Sequence, residues 1–558
     1  MDPLNKENTL VLISVGAANQ ATPDSIRRLC APASSEVWAP EHAVENLRRE
    51  LGSEWKLVSY PETGLVMGTI PPVFRRCVLF LLPPFGQRCR RLYCAALRSG
   101  STRFFVCRTH TPCFKEMRRV RLLFAMLLAE LGGLMLPLFA GAMYAALLAL
   151  ARLKRRPAAG GRITRLAFFV GGLDLGGAER QLLALCLGLL RKGYEVHVVR
   201  MDPIARALVP RFEEAGARCW DLGAYEQLTT CERFLVRLFD RYPRYRNIGA
   251  VVRLAALLRN ERVDLVQSML DSANFVAGPA GRLAGAALVV GGLRNTYCTE
   301  DPEYPWGGFQ KTYRRIAWTF DGWISNSRSG AATFASWTGI PAHIIRTVPN
   351  GIGEEVFPAP RSSEQGKTAA GPTAPAKILF VGRLVWQKRP QDFVEVCHRL
   401  QQRGILFTAR MAGDGHLRAS LQTQIHDKGL DSLLTLVGKQ SELCELYEWA
   451  HVLVATSAYE GFPNSIMEAH WFGLPVVTTD AGEAAAIVAS GETGFVAPVG
   501  DIEALAERVS RLVSDLEEAR RMGRLGQCRV RSLFSLSQLT ERTIESYTSM
   551  IVSGEASR

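Results

Sequence analysis

At 558 residues the chain has room for three to four domains of about 150 residues each. Its 47% hydrophobic and 22% charged content excludes a disordered or low-complexity protein. The net charge of +14 is uneven: residues 1–156 carry +11 and the remainder only +3, so an anionic partner is expected at the N-terminal end. Zinc-finger spacing and a stacking-aromatic signature are both missing, which favours a membrane surface over nucleic acid as that partner. The thirteen cysteines contain no CxxC pair, as expected of scattered thiols in a reducing compartment. Residues 1–20 lack a basic stretch followed by a long apolar core, so no cleaved secretory signal is expected.

From the start of the chain, short apolar runs (TLVLISVG, EVWAP, TRFFVCR) alternate with helical patterns (PDSIRRLC, EHAVENLRREL), which predicts a small α/β domain over residues 1–118. Residues 119–156 follow as a hydrophobic, membrane-associated segment. Its core, Leu122 to Ala151, holds one acid, Glu130, and is flanked on both sides by arginine and lysine. Unbroken, that core would form a helix of about 45 Å, more than a ~30 Å hydrocarbon core requires. Positive charge on both flanks favours a re-entrant hairpin breaking near Gly132-Gly133 or Pro137 over a single crossing, with both ends cytoplasmic.

A second strand–helix alternation runs over residues 162–358, with LAFFVGG, YEVHVVRM, VDLVQSM, ALVVGGL, GWISNS and IIRTVPNG as buried strands. This predicts a doubly wound parallel sheet, which binds nucleotides at the carboxyl ends of its strands. Residues 359–376 are rich in Pro, Gly, Ser and Ala and read as a linker. A third alternation, residues 377–550, begins with KILFVGRL and includes ILFTARMAG, LLTLVG, HVLVATS, LPVVTT and GFVAPVG. Two such lobes leave a cleft between them for two substrates.

The most specific signal lies in AYEGFPNSIMEAHWFGLPVV, where Glu460 and Glu468 stand in an E-x7-E pattern. Gly461, Phe462, Pro463 and Asn464 form a turn after a strand, and Ser465 onward is helical. The first turn of a helix offers unpaired N–H groups and a positive dipole end, suited to a phosphate. Pro463 fits beside that turn because no N–H is needed there.

This region resembles the donor-binding half of glycosyltransferase family four, the retaining GT-B enzymes. FFVGGLDLGGAERQLLALCLGLLRKGYEVHVV resembles the family's opening strand, glycine loop and helix. VPNGIG, FVGRLVWQKRP and MAGDGHLR also match, in order. The resemblance covers about residues 163–550 and leaves residues 1–160 outside it. It implies a GT-B fold: two Rossmann-like α/β domains facing a cleft. It also implies that Arg383 and Lys388 hold the donor diphosphate, where fixed cations stabilise the charge that grows on the leaving group. Glu460 would face the donor sugar beside the backbone of Phe462 and Asn464, and Glu468 the ribose hydroxyls. The loop of Gly171, Gly172, Gly176 and Gly177, which lacks the G-x-G-x-x-G of dinucleotide sites, would border the phosphates and the acceptor.

One departure stands out. Many relatives carry a histidine after the strand matching ALVVGGL, and this chain has Arg294, a possible contact for a phosphate or an acidic acceptor. No D-x-D string occurs, so no metal is expected beside the diphosphate, and no cofactor. The expected partners are a nucleotide sugar, with a UDP-sugar as the preferred donor, and a membrane surface or lipid-linked acceptor, the catalytic lobes facing the cytoplasm. The expected reaction is a retaining transfer, and of the front-face and double-displacement routes the first is favoured because no carboxylate is an evident nucleophile. A catalytically silent GT-B scaffold recruiting partners to a membrane, a nucleic-acid binder and a sugar-phosphate epimerase remain as alternatives.

Overall fold

The computed structural model describes residues 9–13, 35–40, 56–60, 76–81, 103–108, 111–117, 141–153, 163–240, 246–298, 300–301, 306–358, 374–440 and 442–556. The chain divides into two compact units, Met1–Ala146 and Leu147–Arg558. The first unit contains strands β1 (Thr9–Ile13), β2 (Ser35–Pro40), β3 (Lys56–Tyr60), β4 (Arg76–Leu81), β5 (Arg103–Arg108) and β6 (Thr111–Met117). They form one sheet in the order β3-β2-β1-β4-β5-β6, parallel except for the antiparallel β5–β6 edge. Val11 pairs with Val37 on one side and Val78 on the other, so the order reverses at β1, as in a doubly wound sheet. The helices expected between these strands lie outside the described residues.

Of the apolar segment 119–156, the described part is residues 141–153, which are helical; the expected break near Gly132-Gly133 or Pro137 lies outside it. Among the described residues no helix is long and apolar enough to cross a membrane. Within the second unit, Leu147, Leu148 and Ala151 are buried, whereas Leu150 and Leu153 are exposed.

The second unit holds two sheets. The first comprises β7 (Arg165–Val170), β8 (Glu195–Arg200), β9 (Arg218–Asp221), β10 (Leu265–Ser268), β11 (Leu288–Leu293), β12 (Gly322–Ser325) and β13 (Ile345–Thr347). Their order is β13-β12-β11-β10-β7-β8-β9 and every pair is parallel. Leu166, Ala167, Phe168 and Phe169 are all fully buried, because helices cover both faces; that is why β7 reads as a continuous apolar run. The second sheet comprises β14 (Ala376–Val381), β15 (Phe407–Ala412), β16 (Leu434–Gly438), β17 (Val452–Ala455), β18 (Val476–Thr479) and β19 (Gly494–Ala497). It is parallel throughout in the order β16-β15-β14-β17-β18-β19. The order reverses between β7 and β10 in one lobe and between β14 and β17 in the other. Ligands of doubly wound sheets bind at such points. The expected linker falls almost wholly outside the described residues, and β14 starts at its last position.

Five helices position the site or tie the lobes together: α1 (Gly177–Arg191), α2 (Asp271–Ala284), α3 (Asn464–Trp471), α4 (Leu516–Leu533) and α5 (Leu536–Ala556). The last of these returns from the second lobe to the first. Its Thr540 packs so tightly on Gly188 of α1 that a Cβ there would lie 1.9 Å from Thr540 Oγ1. Tyr547 of α5 donates a hydrogen bond to buried Gln267 of β10.

Inside the second lobe, α3 packs on α4 through fully buried His470, whose Nδ1 lies 2.9 Å from the carbonyl of Leu474. A carbonyl only accepts, so Nδ1 carries the proton. Burial lowers the imidazole pKa to about 4, with nearby Arg529 adding to the effect against the Leu474 hydrogen bond. The unfolded imidazole titrates near 6.5, so between about pH 6.5 and 4 the unfolded chain binds the extra proton. The neutral His470 therefore stabilises the fold fully above 6.5, and that contribution, about 3 kcal/mol, is lost as pH falls towards 4. Chemical denaturation at pH 7.5 and 4.5 is expected to show a smaller pH dependence in His470→Gln than in the parent; equal slopes would remove His470 as the source.

Candidate active site

The site forms where the strand ends of the two lobes meet. In the second lobe, the turn after β14 carries Arg383, Gln387 and Lys388, and the segment after β17 carries Ser457, Tyr459 and Glu460. Hydrogen bonds tie these segments together: Ala458 N–H donates to the Gln387 carbonyl (2.8 Å) and Gln387 Nε2 to the Tyr459 carbonyl (3.2 Å). Thr456 Oγ1 reaches the carbonyls of Lys388 (3.0 Å) and Arg389 (2.9 Å). These last two contacts hold a turn in which Arg389 adopts φ 43° and ψ 52°, a left-handed conformation that is strained for a side chain with a Cβ.

That turn aims Lys388 at Glu460, and the two form an ion pair. Ser457 Oγ donates to the same Glu460 oxygen at 2.6 Å. Arg383 is exposed, and its Nη2 donates to Gln387 Oε1 at 2.9 Å with no carboxylate in ion-pair range among the described residues. Two glycines permit this crowding. Gly413 has φ +143°, and a Cβ there would lie 1.8 Å from the Gly382 carbonyl oxygen; Gly482, at φ +63°, would come 2.1 Å from that of Glu460.

Glu468 sits one turn into α3 and is 2% exposed. Tyr447 donates to its Oε2 at 2.7 Å, and Arg180, from α1 in the opposite lobe, donates to its Oε1 at 3.1 Å. A carboxylate has about four acceptor positions, so two remain beyond these partners. Phe462 has its side chain in the core, 5% exposed and edge-on to Phe534 at 5.3 Å, which leaves its backbone as the part available to a ligand. Pro463 is buried, and Ser465 lies partly exposed in the first turn of α3.

The first lobe closes the cleft with the loop after β7. A Cβ on Gly177 would fall 2.6 Å from Asn464 Nδ2, so the two lobes touch there. Gly172 packs on Ala205, Gly171 faces Ser272 at van der Waals distance, and Gly176 is covered by the folded-back side chain of Glu179. Burial raises the Glu179 carboxyl above its usual range, against the pull of its own N–H, Arg180 and Arg383. Arg294, at the end of β11, packs its carbonyl on Gly461, where a Cβ would come within 2.6 Å. Its Nη1 donates to Asn350 Oδ1 (3.1 Å), and Asn350 Nδ2 donates to Asn464 Oδ1 (2.7 Å). The hydroxyl of Thr296 donates to the Glu460 carbonyl.

Arg383, Lys388, Glu460, Gly461 and Asn464 thus share one cleft wall, with Gly177 and Arg294 contacting it from the other lobe. Sequence reasoning missed Arg180, Tyr447, Gln387, Glu179 and Asn350. Arg180 and Glu179 follow Gly177 within the same quoted motif, Asn350 lies within VPNGIG and Gln387 within FVGRLVWQKRP, so local signals existed for all but Tyr447.

Comparison with known proteins agrees with this architecture. The family described as Glycosyltransferase Family 4 matches residues 175–356, and that described as Glycosyl transferases group 1 matches residues 364–528. The Vi polysaccharide biosynthesis protein VipC/TviE of Salmonella typhi is 25% identical over 363 residues, 60% of this chain and 62% of that protein. The amylovoran biosynthesis glycosyltransferase AmsK of Erwinia amylovora is 32% identical over 182 residues, 31% of this chain and 43% of its own length. The matches therefore span less than two thirds of these curated relatives. Among solved structures, Anabaena Alr3699/HepE in complex with UDP has a TM-score of 0.57 at 19% identity, covering 69% of this chain and all of that one. Two parallel lobes with this fold, one matching Glycosyltransferase Family 4 and the other Glycosyl transferases group 1, make the chain a GT-B protein of the glycosyltransferase family 4-like kind.

Proposed function

We propose that the protein transfers a sugar from a nucleoside-diphosphate sugar to a growing polysaccharide or lipid-linked acceptor at a membrane, with retention of anomeric configuration. The observation that carries this reading is the convergence of exposed Arg383 and the Lys388–Glu460 pair in one cleft. Cations fixed beside a diphosphate stabilise the charge it gains as the glycosidic bond breaks. Glu460, held by Lys388 and Ser457, serves to orient the donor sugar rather than to attack it, which favours a front-face transfer in which the leaving phosphate takes the acceptor's proton. The solved Anabaena structure was also obtained with UDP-glucose, which supports UDP as the donor's nucleotide. The names of the Salmonella and Erwinia relatives support a polysaccharide product. The long apolar run at Leu122–Ala151 and its basic flanks support a membrane-borne acceptor, with the lobes on the cytoplasmic side.

Calorimetry tests the reading. Arg383→Ala is expected to weaken UDP binding by about 1–3 kcal/mol, the range for a charge-assisted hydrogen bond. Unchanged affinity would remove Arg383 from the diphosphate. Parent protein that binds UDP but never releases it from a sugar donor, with any acceptor, would point to a silent scaffold instead.

A further inference from the structure

Most charged groups in the cleft are neutralised. Lys388 is paired with Glu460, Arg180 with Glu468, and Lys439 with Asp174 at 3.1 Å. Arg294 differs. Its Nη1 reaches only an amide oxygen, that of Asn350, and its Nη2 only the thioether of Met269 at 3.3 Å, a weak acceptor. Its Nε is buried with no partner, and among the described residues no carboxylate lies in ion-pair range of the guanidinium. Arg294 is half-buried, and withdrawing part of a cation from water without a counter-ion is costly, a cost that an anionic ligand would offset. Burial lowers the Arg294 pKa to about 10, so the group still carries its charge at neutral pH.

Its position indicates where that missing charge resides. The donor diphosphate is assigned to Arg383 and Lys388 at the end of β14, in the second lobe. Arg294 extends from β11 of the first lobe, its backbone against Gly461 and its side chain linked through Asn350 to Asn464. It therefore borders the segment beside Glu460, where the transferred sugar and the acceptor meet. We infer that Arg294 recognises a carboxylate on the sugar side of the reaction, so that a uronic acid is either the sugar transferred or the sugar that receives it. This rests on the nucleotide-sugar reading of the cleft. A guanidinium matches a carboxylate with two parallel N–H···O bonds, a geometry that the hydroxymethyl of a neutral hexose cannot offer.

The test uses the full chain with UDP, UDP-glucose, UDP-glucuronic acid and UDP-galacturonic acid, in the parent, Arg294→Met and Arg294→Lys. If the carboxylate is the donor's, the parent binds one of the acidic donors at least about tenfold more tightly than UDP-glucose. Arg294→Met removes that preference and Arg294→Lys keeps part of it. If the carboxylate is the acceptor's, the donors bind alike, but transfer onto a uronate-terminated oligosaccharide outpaces transfer onto its neutral counterpart, and Arg294→Met abolishes that ratio. A parent that binds UDP yet shows no acid preference in either arm overturns the assignment. So does a loss of affinity for UDP alone in an Arg294→Met protein that still melts cooperatively, since that would put the guanidinium on the phosphates. A parent that does not bind UDP at all defeats the nucleotide-sugar reading itself and this inference with it.

Discussion

Glu460→Gln is expected to lower the rate of sugar transfer by about 10²–10³-fold while leaving UDP affinity intact or slightly improved. The substitution keeps the shape of the side chain and its ability to accept from Ser457 Oγ, but removes the negative charge that Lys388 neutralises. Lys388 then turns its whole charge to the diphosphate, so ground-state binding does not fall. What is lost is the fixed anion beside the reacting sugar, which carries positive charge in its transition state; removing one such preorganised group typically costs two to three orders of magnitude. Single-turnover transfer and UDP titration on the same preparation separate the two effects. Transfer at the parental rate would take Glu460 out of the chemistry. A matching drop in UDP affinity would assign it to nucleotide binding alone.

The parts of this site that were legible in the sequence are local. The E-x7-E pattern, the Gly-Phe-Pro-Asn turn and the Arg383/Lys388 spacing each lie within one strand–turn–helix unit, and backbone rules alone place their residues at the carboxyl edge of a sheet. The parallel, doubly wound class of the two sheets follows too, because long buried apolar runs separated by helices permit little else; their strand order became apparent only with the fold. What could not be read is which side chains answer one another across the cleft. Arg180 and Glu468 are 288 positions apart, and Tyr447, which shares that carboxylate, belongs to a helix with no motif of its own.

The same limit explains Phe462. The resemblance implies its backbone beside the donor, and only the fold shows that its ring is core, packed on Phe534 from far along the chain. Arg294 is the reverse case. Its position was visible as a departure from the family's histidine, but its lack of a counter-ion became apparent only with the fold, since the loops that might have supplied an acid supply Asn350 and Met269 instead.

The contact that most directly couples the lobes is Arg180 with Glu468, and Arg180→Met is expected to cost about 3–5 kcal/mol, the range for breaking one side of a buried ion pair. The side chains are only 15% and 3% exposed, so the carboxylate left behind cannot recover its loss from water. Tyr447 still donates to Glu468, which puts the expected cost at the lower end of that range. Methionine fills the space over the ring of Phe357 but gives up the cation–π contact of the Arg180 guanidinium, 5.4 Å from the ring centroid, so the measured loss includes that contact as well as the ion pair. Because the two partners belong to different lobes, the loss should fall on their association rather than on either core. Calorimetric melting is then expected to broaden or split, with saturating UDP drawing the transitions back together by binding both lobes at once. Glu468→Gln together with Arg180→Met should cost less than the sum of the single changes, since the double variant leaves no buried charge unpaired. Strictly additive losses would mean that the pair does not act as a unit, and that the lobes are held by α5 and the apolar core alone.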